Sequence, residues 1–229
     1  MIEILDNSQK IIFNKKTFKI LTYDDYIKKL DKNYKIKLFF PSCIQSFIAF
    51  KILLFKLFKK FQIRKNIFLE KTTFKKFKKL YKALYQINIF FMVFEDMFEQ
   101  DIQKKLQEDL CDLKTKIDLY KDEVNFKQCV DLLNRKNSKN LFLNIEIILK
   151  DNSDFFKQNN ELNLKQAIIL LLEKQMSGLE KIPKKSLENF IEFDKINFLF
   201  KHFSYVLKKA DFKKIQIVLK DKTLKNKKY

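Results

Sequence analysis

The chain has 229 residues, with 48 Lys and Arg against 28 Asp and Glu, so its formal net charge at pH 7 is +20. Its single glycine, Gly178, excludes P-loops, dinucleotide-binding glycine motifs and GxxG nucleic-acid loops, because each of these needs several residues without a Cβ atom. Hydrophobic residues make up 46% and aromatic residues 15%, which is enough to bury a core and excludes a disordered chain.

The N-terminal region lacks the features of a targeting segment. Its first 13 residues include acidic residues and no arginine, unlike a secretory signal or an Arg-rich transit peptide. We therefore expect that, if the protein works in an organelle, it is made there. Residues 38–58 form the most apolar stretch, which Lys51 and Lys56 interrupt. Because lipid penalises a mid-bilayer lysine by about 2.5–3.5 kcal/mol, we interpret this stretch as a helix buried in protein, with Lys51 snorkelling or paired.

The next segment predicts an amphipathic helix with a lysine-rich face. It starts at Phe74, after a candidate N-cap at Thr72 or Thr73. A helical wheel places on one face Phe74, Phe77, Leu80, Tyr81 and Leu84. The opposite face carries Lys75, Lys78, Lys79 and Lys82, with Lys76 at its margin. The segment just upstream adds Lys56, Lys59, Lys60, Arg64 and Lys65. These residues form a candidate phosphate-binding surface; a solvated helix face and a contact with an anionic membrane are the alternatives.

A net-acidic helix is predicted over residues 95–124. Its apolar stripe, at spacings of three and four, comprises Phe98, Ile102, Leu106, Leu110, Leu113, Ile117, Tyr120 and Val124. Its first turns carry Glu95, Asp96, Glu99 and Asp101. We interpret these carboxylates as favourable charges at the helix N-terminus or as contacts with a basic neighbour. A metal or acid–base site is not favoured, because no histidine lies near them in the sequence.

Two C-terminal segments alternate apolar and polar residues as β-strands do. They cover residues 141–149 and 214–221, and the sequences NIEIILKD and KIQIVLKD that overlap them nearly repeat one another. The predicted fold class is therefore α+β and predominantly helical. We expect a helical region with long amphipathic helices over residues 1–138, and a small sheet covered by helices over residues 139–229.

Helices are predicted between the two strands. The first covers residues 164–177 and ends at Gly178, a residue suited to the position after a helix C-terminus. A short helix is expected at residues 187–193 and a longer one at residues 196–209.

This order, strand–helix–helix–strand, resembles the C-terminal domain of the universal small-subunit ribosomal protein 3 family. In that family an INI-type strand precedes a helix of the pattern LVAxxIAxQLExR, and a second helix leads into a strand written KGIKIxxSGRL. The similar stretches here are LNIEIILKD at 143–151, LKQAIILLLEKQM at 164–176 and FKHFSYVLKKADFKKIQIVLKDKTL at 200–224. The family's N-terminal RNA-binding domain has no counterpart in residues 1–140, so the resemblance is to a split, mitochondrially encoded form like those of ciliates.

The resemblance implies a position in the head of the small ribosomal subunit, near the mRNA entry side. It implies contacts with ribosomal RNA and with other ribosomal proteins, and no catalysis. The C-terminal lysines would then contact phosphates, in a tail that orders against RNA. They are Lys208, Lys209, Lys213, Lys214, Lys220, Lys222, Lys225, Lys227 and Lys228.

The basic charge is concentrated in two parts of the chain. Residues 1–82 carry 21 basic and 6 acidic side chains, and residues 182–229 carry 13 and 5. Residues 83–135 are net acidic, with 7 basic and 11 acidic side chains. An AT-rich genome would explain why lysine replaces arginine and why phenylalanine is abundant, but it would not leave an acidic middle. The distribution favours a polyanion that is contacted in two places.

We therefore predict a structural constituent of the mitochondrial small ribosomal subunit, in the matrix, that binds the rRNA backbone through its lysines. The alternatives are an accessory subunit of an inner-membrane respiratory complex and a nucleic-acid-binding protein outside the ribosome. Enzyme activity, a metal and a cofactor are not expected, because His202 is the only histidine and the cysteines are far apart. We expect reduced, mostly buried thiols at Cys43, Cys111 and Cys129.

Overall fold

A computed structural model describes most of the chain. The described residues are 10–13, 16–19, 23–95, 100–150, 162–181 and 187–207. The chain divides into two compact units, Met1–Lys37 and Leu38–Tyr229. The expected boundary between residues 138 and 139 lies inside the second unit.

The first unit contains a β-hairpin and a helix, and the sequence patterns did not predict the hairpin. β1 (Lys10–Phe13) and β2 (Lys16–Lys19) pair in antiparallel orientation. α1 (Tyr23–Lys32) carries acidic residues in its first turn and basic residues in its last, which complements the helix dipole. The strand register pairs Lys10 with Lys19, Ile11 with Phe18, Ile12 with Thr17, and Phe13 with Lys16.

Helices make up most of the described residues of the second unit, and no strand longer than the single bridge between Gln45 and Asn163 occurs among them. Its α-helices are α2 (Ser46–Glu70), α3 (Phe74–Val93), α4 (Gln100–Asp118), α5 (Cys129–Asn134), α6 (Lys136–Lys150), α7 (Leu164–Lys181) and α8 (Leu187–Phe203). Short 3₁₀ turns lie at Phe126–Gln128 and Ser204–Val206. α2 and α3 form an antiparallel hairpin, against which α4, α6, α7 and α8 pack. This hairpin is the centre of the unit and positions the candidate site.

Phenylalanine side chains form much of the core. Phe50 of α2 and Phe94 at the end of α3 have ring centres 4.2 Å apart, and Phe203 of α8 lies 5.6 Å from Phe50. At the other end of α2, the ring centres of Phe61 and Phe142 of α6 are 4.9 Å apart. Such ring pairs add to the hydrophobic stabilisation that comes from area burial alone. The core therefore joins helices from both the N-terminal and the C-terminal halves of the unit.

The apolar stretch 38–58 enters a helix only at Ser46, where α2 begins. From there it is buried in protein as expected, and Lys51 is only 3% exposed. Across the residues that the structure describes, we find no helix with the combined length and apolarity needed to cross a membrane.

The predicted C-terminal sheet is wrong, because residues 141–149 lie in helix α6. Part of the apolar pattern that suggested a strand also fits a helix. Leu141, Ile145 and Leu149 follow one another at the helical spacing of four residues, and all three are buried. Leu143, which a strand would place beside them, is 54% exposed. Burial against α2, α4 and α5 thus selects the helical period. The second predicted strand, residues 214–221, lies outside the described residues.

Three predicted helix boundaries also differ. α7 continues through Gly178 to Lys181, because Leu179 beyond the glycine is fully buried. α8 is one helix where two were predicted, and it ends at Phe203. α4 ends at Asp118, before Asp122 accepts hydrogen bonds from the backbone N–H groups of Val124 and Asn125 in a side-chain-closed turn.

Candidate nucleic-acid interface

The lysine-rich face of α3 is exposed, as predicted. Lys75, Lys78, Lys79 and Lys82 all lie on the solvent side of the helix. Its opposite face is buried and includes Phe77, Leu80, Ala83 and Leu84. From Lys75 to Lys82 the helix rises about 10 Å, a length comparable with several phosphate spacings along a strand. The face is therefore extended enough to follow a polyanion rather than to hold a single ion.

Two other predicted phosphate contacts have partners within the fold. Lys76 donates from Nζ to the backbone oxygen of Ile67, 3.1 Å away, in the last turn of α2. The same Ile67 oxygen accepts from the backbone N–H of Lys71, 3.4 Å away, so the Lys76 amine adds a second contact at the C-terminal end of α2. Lys65 places its Nζ 4.9 Å from the ring centre of Phe142, and burial lowers the pKa of Lys65. Both amines therefore have a role in packing.

A second group of basic side chains meets where α2, α3 and α8 pack together. α2 supplies Lys56, Lys60 and Arg64, which a spacing of four residues places along one side of the helix. α3 adds Lys82 and α8 adds Lys201. All four of the other side chains act electrostatically on Lys60, so the five lie near one another. We call these five side chains the basic cluster.

Lys60 is half-buried, and every other member of the basic cluster acts on it electrostatically. Its Nζ donates a hydrogen bond to Oε1 of Gln86 on α3, 2.8 Å away, and Gln86 is only 9% exposed. Burial, and then the positive charges of the other cluster members, of which Lys201 acts most strongly, lower the pKa of Lys60 to about 8. Within the described part of the chain, every charge that contributes to this shift is positive.

Burial and nearby positive charges also lower the pKa values of two neighbours of Lys60. Burial, and then the charge of Lys201, lower the pKa of Lys56. Burial, and then the charge of Lys82, lower the pKa of Lys201. The folded chain therefore holds positive charges close together under partial desolvation, which is unfavourable in the free protein. An anion bound at the basic cluster would offset that repulsion.

His202 lies beside the basic cluster and is unsuited to acid–base chemistry. Burial, followed by the charges of Lys201, Lys56 and Lys60, lowers the pKa of His202 to about 3. Its ring packs 4.6 Å from that of Phe198, measured between centres. Its buried Nε2 finds no hydrogen-bond partner among the described residues. The imidazole is therefore neutral and packed at physiological pH.

Two tyrosines on α3 donate hydrogen bonds to carboxylates of neighbouring helices. Tyr81 donates to Asp118 of α4, with 2.6 Å between the oxygens, and Tyr85 donates to Asp194 of α8. Burial, and then the hydrogen bond to its aspartate, raises the pKa of each tyrosine. Lys114 forms an ion pair with Asp118 at 2.8 Å. These contacts connect α3 to α4 and α8.

The remaining predicted site residues divide into two groups. Lys59 is a half-buried residue of α2. All of the C-terminal lysines predicted as phosphate contacts, from Lys208 to Lys228, lie outside the described residues. No sequence pattern points to Lys201 or Gln86 as members of the site. Lys201 is an isolated lysine in an apolar segment, and only the packing of α8 reveals its neighbours.

The acidic start of the predicted middle helix contacts a basic neighbour. Glu95 forms an ion pair with Lys174 of α7 at 2.9 Å, one of the two roles expected for these carboxylates. The described residues include no group of three metal-ligating side chains. Cys129 is buried, but Cys43 and Cys111 are exposed, so the expectation of mostly buried thiols is wrong.

A cavity of about 230 Å³ lies between α4, α5 and α6. Its charged lining comprises Asp109, Asp112, Lys116, Arg135 and Lys136. Because both signs of charge line it, the cavity indicates no single class of ligand.

Comparison of the chain with protein-family models, with curated proteins and with solved structures finds no match.

Proposed function

We propose that this protein binds the phosphate backbone of RNA and acts as a structural, non-catalytic component of a ribonucleoprotein. The observation that supports the proposal most directly is the basic cluster of five side chains from three helices, in which burial, and then repulsion by the other four charges, lower the pKa of Lys60 to about 8. The exposed lysines of α3 continue from Lys82 of this cluster toward the start of the helix. A polyanion lying along both would neutralise charges that destabilise one another in the free protein.

The chemistry of the surface favours backbone contacts over base recognition. Of the 48 basic residues only Arg64 and Arg135 are arginines, and lysine lacks the planar fork that contacts a guanine edge or a phosphate through two hydrogen bonds. Lysine instead binds phosphate as a point charge. We therefore propose binding that is independent of sequence and strongly dependent on salt concentration.

The ribonucleoprotein that we propose is the small subunit of a mitochondrial ribosome, with ribosomal RNA and other ribosomal proteins as partners in the matrix. The uneven distribution of charge and the preference for lysine support this assignment. The resemblance to the small-subunit ribosomal protein 3 family gives this assignment only weak support. The resemblance depended on two strands, and the first of them is replaced by helix α6.

A salt titration with charge variants tests the RNA-binding proposal. The affinity of the full chain for a labelled RNA is measured between 50 and 200 mM salt for wild type and for K75Q/K79Q/K82Q, which removes three charges from α3. Each neutralised phosphate contributes about 0.7 to 0.9 to the slope of log K against log salt, so we expect the variant's slope to be shallower by about 2. The matched control, K104Q/K105Q/K127Q, removes three exposed lysines elsewhere and should leave the slope within 0.5 of wild type, on the order of less than one phosphate contact.

Two results would contradict the proposal. One is a flat salt response of the wild-type protein. The other is tighter binding to vesicles of anionic lipid than to RNA, which would favour the respiratory-complex alternative. Sedimentation of the native protein tests the assignment to the ribosome: it should travel with small subunits and remain with them after membranes are removed.

A further inference from the structure

Two aromatic side chains stand exposed at the end of α8. Phe39 exposes 61% of its surface and Tyr205 exposes 38%. Their ring centres are 5.2 Å apart and the ring planes meet at 65°, an edge-to-face arrangement. Most of the phenylalanines whose burial the structure describes lie in the core, and Phe39 is the exposed exception among them.

The two rings are held by the fold beneath them. The backbone N–H of Phe40 donates to the hydroxyl oxygen of Tyr205, 2.9 Å away. Phe40 itself is 5% exposed and packs with its ring centre 6.4 Å from that of Phe203 in the core. Pro41 follows Phe40 and disfavours a helical conformation there. The exposed pair is therefore anchored on both sides by buried neighbours.

The aromatic pair lies next to the basic cluster in the chain. Lys201 precedes Tyr205 by four residues, across the end of α8 and the 3₁₀ turn that follows it. Four residues span at most about 14 Å of extended chain, so the backbones of Lys201 and Tyr205 lie within that distance of each other. A cationic surface beside exposed aromatic rings is the combination that binds single-stranded nucleic acid.

We infer that the Phe39–Tyr205 pair is a stacking site for an unpaired RNA base, next to a backbone that lies on the basic cluster. This inference rests on the proposed function and adds to it the class of RNA, namely a single-stranded segment. A planar base can lie parallel to only one of two rings that meet at 65°. Phe39 is the more exposed ring and provides the stacking face, while Tyr205 forms a side wall.

A duplex cannot use such a site, because its bases are already stacked on one another and paired. The aromatic pair therefore distinguishes single strands from duplexes, whereas the lysines bind both. Loss of a base–aromatic stack weakens binding by about 5- to 160-fold, and the loss should be confined to single strands.

The test compares the full-length wild-type chain with F39L, which keeps an apolar side chain and removes the ring. Binding is measured to a single strand of adenosines that contains 2-aminopurine, and to an RNA duplex of equal length. We expect F39L to lose at least about 5-fold in affinity for the single strand, with no change for the duplex. The 2-aminopurine fluorescence should be quenched by wild type and not by F39L. F39Y, which retains a ring, should restore both.

A charge variant separates this inference from the proposed function. K201Q should weaken binding to both RNAs and reduce the salt slope, whereas F39L should leave the slope unchanged. Equal binding of the single strand by wild type and F39L, with salt-dependent binding intact, overturns the stacking site and leaves the proposed function standing. Failure of the wild-type protein to bind either RNA overturns both. Because Phe39 is exposed, the thermal midpoint of F39L should match that of wild type, which confirms that the variant folds.

Discussion

Lys201 on α8 exerts the strongest electrostatic influence on Lys60 of α2, although 141 residues of chain separate them. Both side chains are positive, and burial and repulsion together lower the pKa of Lys60 to about 8 from a usual value of 10.5. The relationship links two helices that are distant in sequence through an unfavourable electrostatic interaction. Such an interaction is expected where a protein folds to present charge to a partner.

The first prediction concerns stability in mild alkali. The unfolded chain keeps Lys60 protonated up to about pH 10.5, whereas the folded chain releases that proton near pH 8. Between these values the unfolded state binds more protons, so the contribution of Lys60 to folding becomes more favourable as the pH rises. We expect the stability of wild type relative to K60M to rise by about 1 kcal/mol between pH 7.5 and 9.5, after allowance for solvent screening.

Urea unfolding curves at each pH measure this difference. K60M leaves the oxygen of Gln86 without its donor, but that cost is independent of pH and does not alter the trend. K104M, at an exposed position of α4, serves as the control and should show no pH trend relative to wild type. A constant offset between K60M and wild type would contradict the placement of Lys60 among positive charges.

The second prediction concerns acid. The pKa of His202 is about 3 in the folded chain and near 6.5 in the unfolded chain. Below pH 6.5 the unfolded state therefore takes up a proton that the folded state does not, and the stability falls as the pH decreases. Relative to H202F, we expect wild type to lose about 2 kcal/mol between pH 7 and pH 5. Denaturant unfolding followed by circular dichroism measures the loss, and parallel curves for the two proteins would refute it.

The third prediction concerns the tyrosine contacts of α3. Y81F removes the hydroxyl that donates to Asp118, and should lower the free energy of unfolding by about 1–2 kcal/mol at pH 7. Lys114 remains paired with Asp118 and limits the loss. Y120F is the matched control, because Tyr120 is also half-buried. Removing the Tyr120 hydroxyl should lower the free energy of unfolding by less than about 0.5 kcal/mol. Equal costs for the two variants would show that the hydrogen bond to Asp118 contributes nothing.

The fourth prediction distinguishes helix from strand in residues 136–150. In α6 Ile145 is fully buried and Leu143 is 54% exposed, whereas a strand would place both on one face. I145A should cost about 2–5 kcal/mol and L143A less than about 0.5 kcal/mol. Thermal unfolding of the two variants gives the comparison. Similar destabilisation by both would support a strand and contradict the structure.

Local pattern was a good guide where a segment has one dominant period. α3 begins after Thr73 as predicted, and its lysine face is exposed because the apolar positions repeat only with the helical period. α6 shows the opposite case, since Leu141, Ile145 and Leu149 fit both a strand and a helix. Gly178 could end a helix or lie within one, and the burial of Leu179 decided in favour of the longer helix.

The candidate site, like the fold, could be predicted only in part from local sequence patterns. Lys60, Arg64 and Lys82 could be selected from the sequence as members of basic helix faces, because neighbours on one helix face follow from spacing alone. Lys201 could not, because no local pattern indicates which helix α8 packs against. The Phe39–Tyr205 pair likewise cannot be predicted from the sequence, in which 166 residues separate its two members.

The sequence by itself determined that the chain is basic, rich in phenylalanine, able to form a core, and predominantly helical with an exposed lysine face on α3. These properties depend on composition and on local periodicity. The tertiary structure alone decided that residues 136–150 are helical, that the basic cluster assembles from three helices, and that the rings of Phe39 and Tyr205 meet at the surface. The physical reason is that burial and charge proximity depend on contacts between segments far apart in the chain, which local periodicity does not encode.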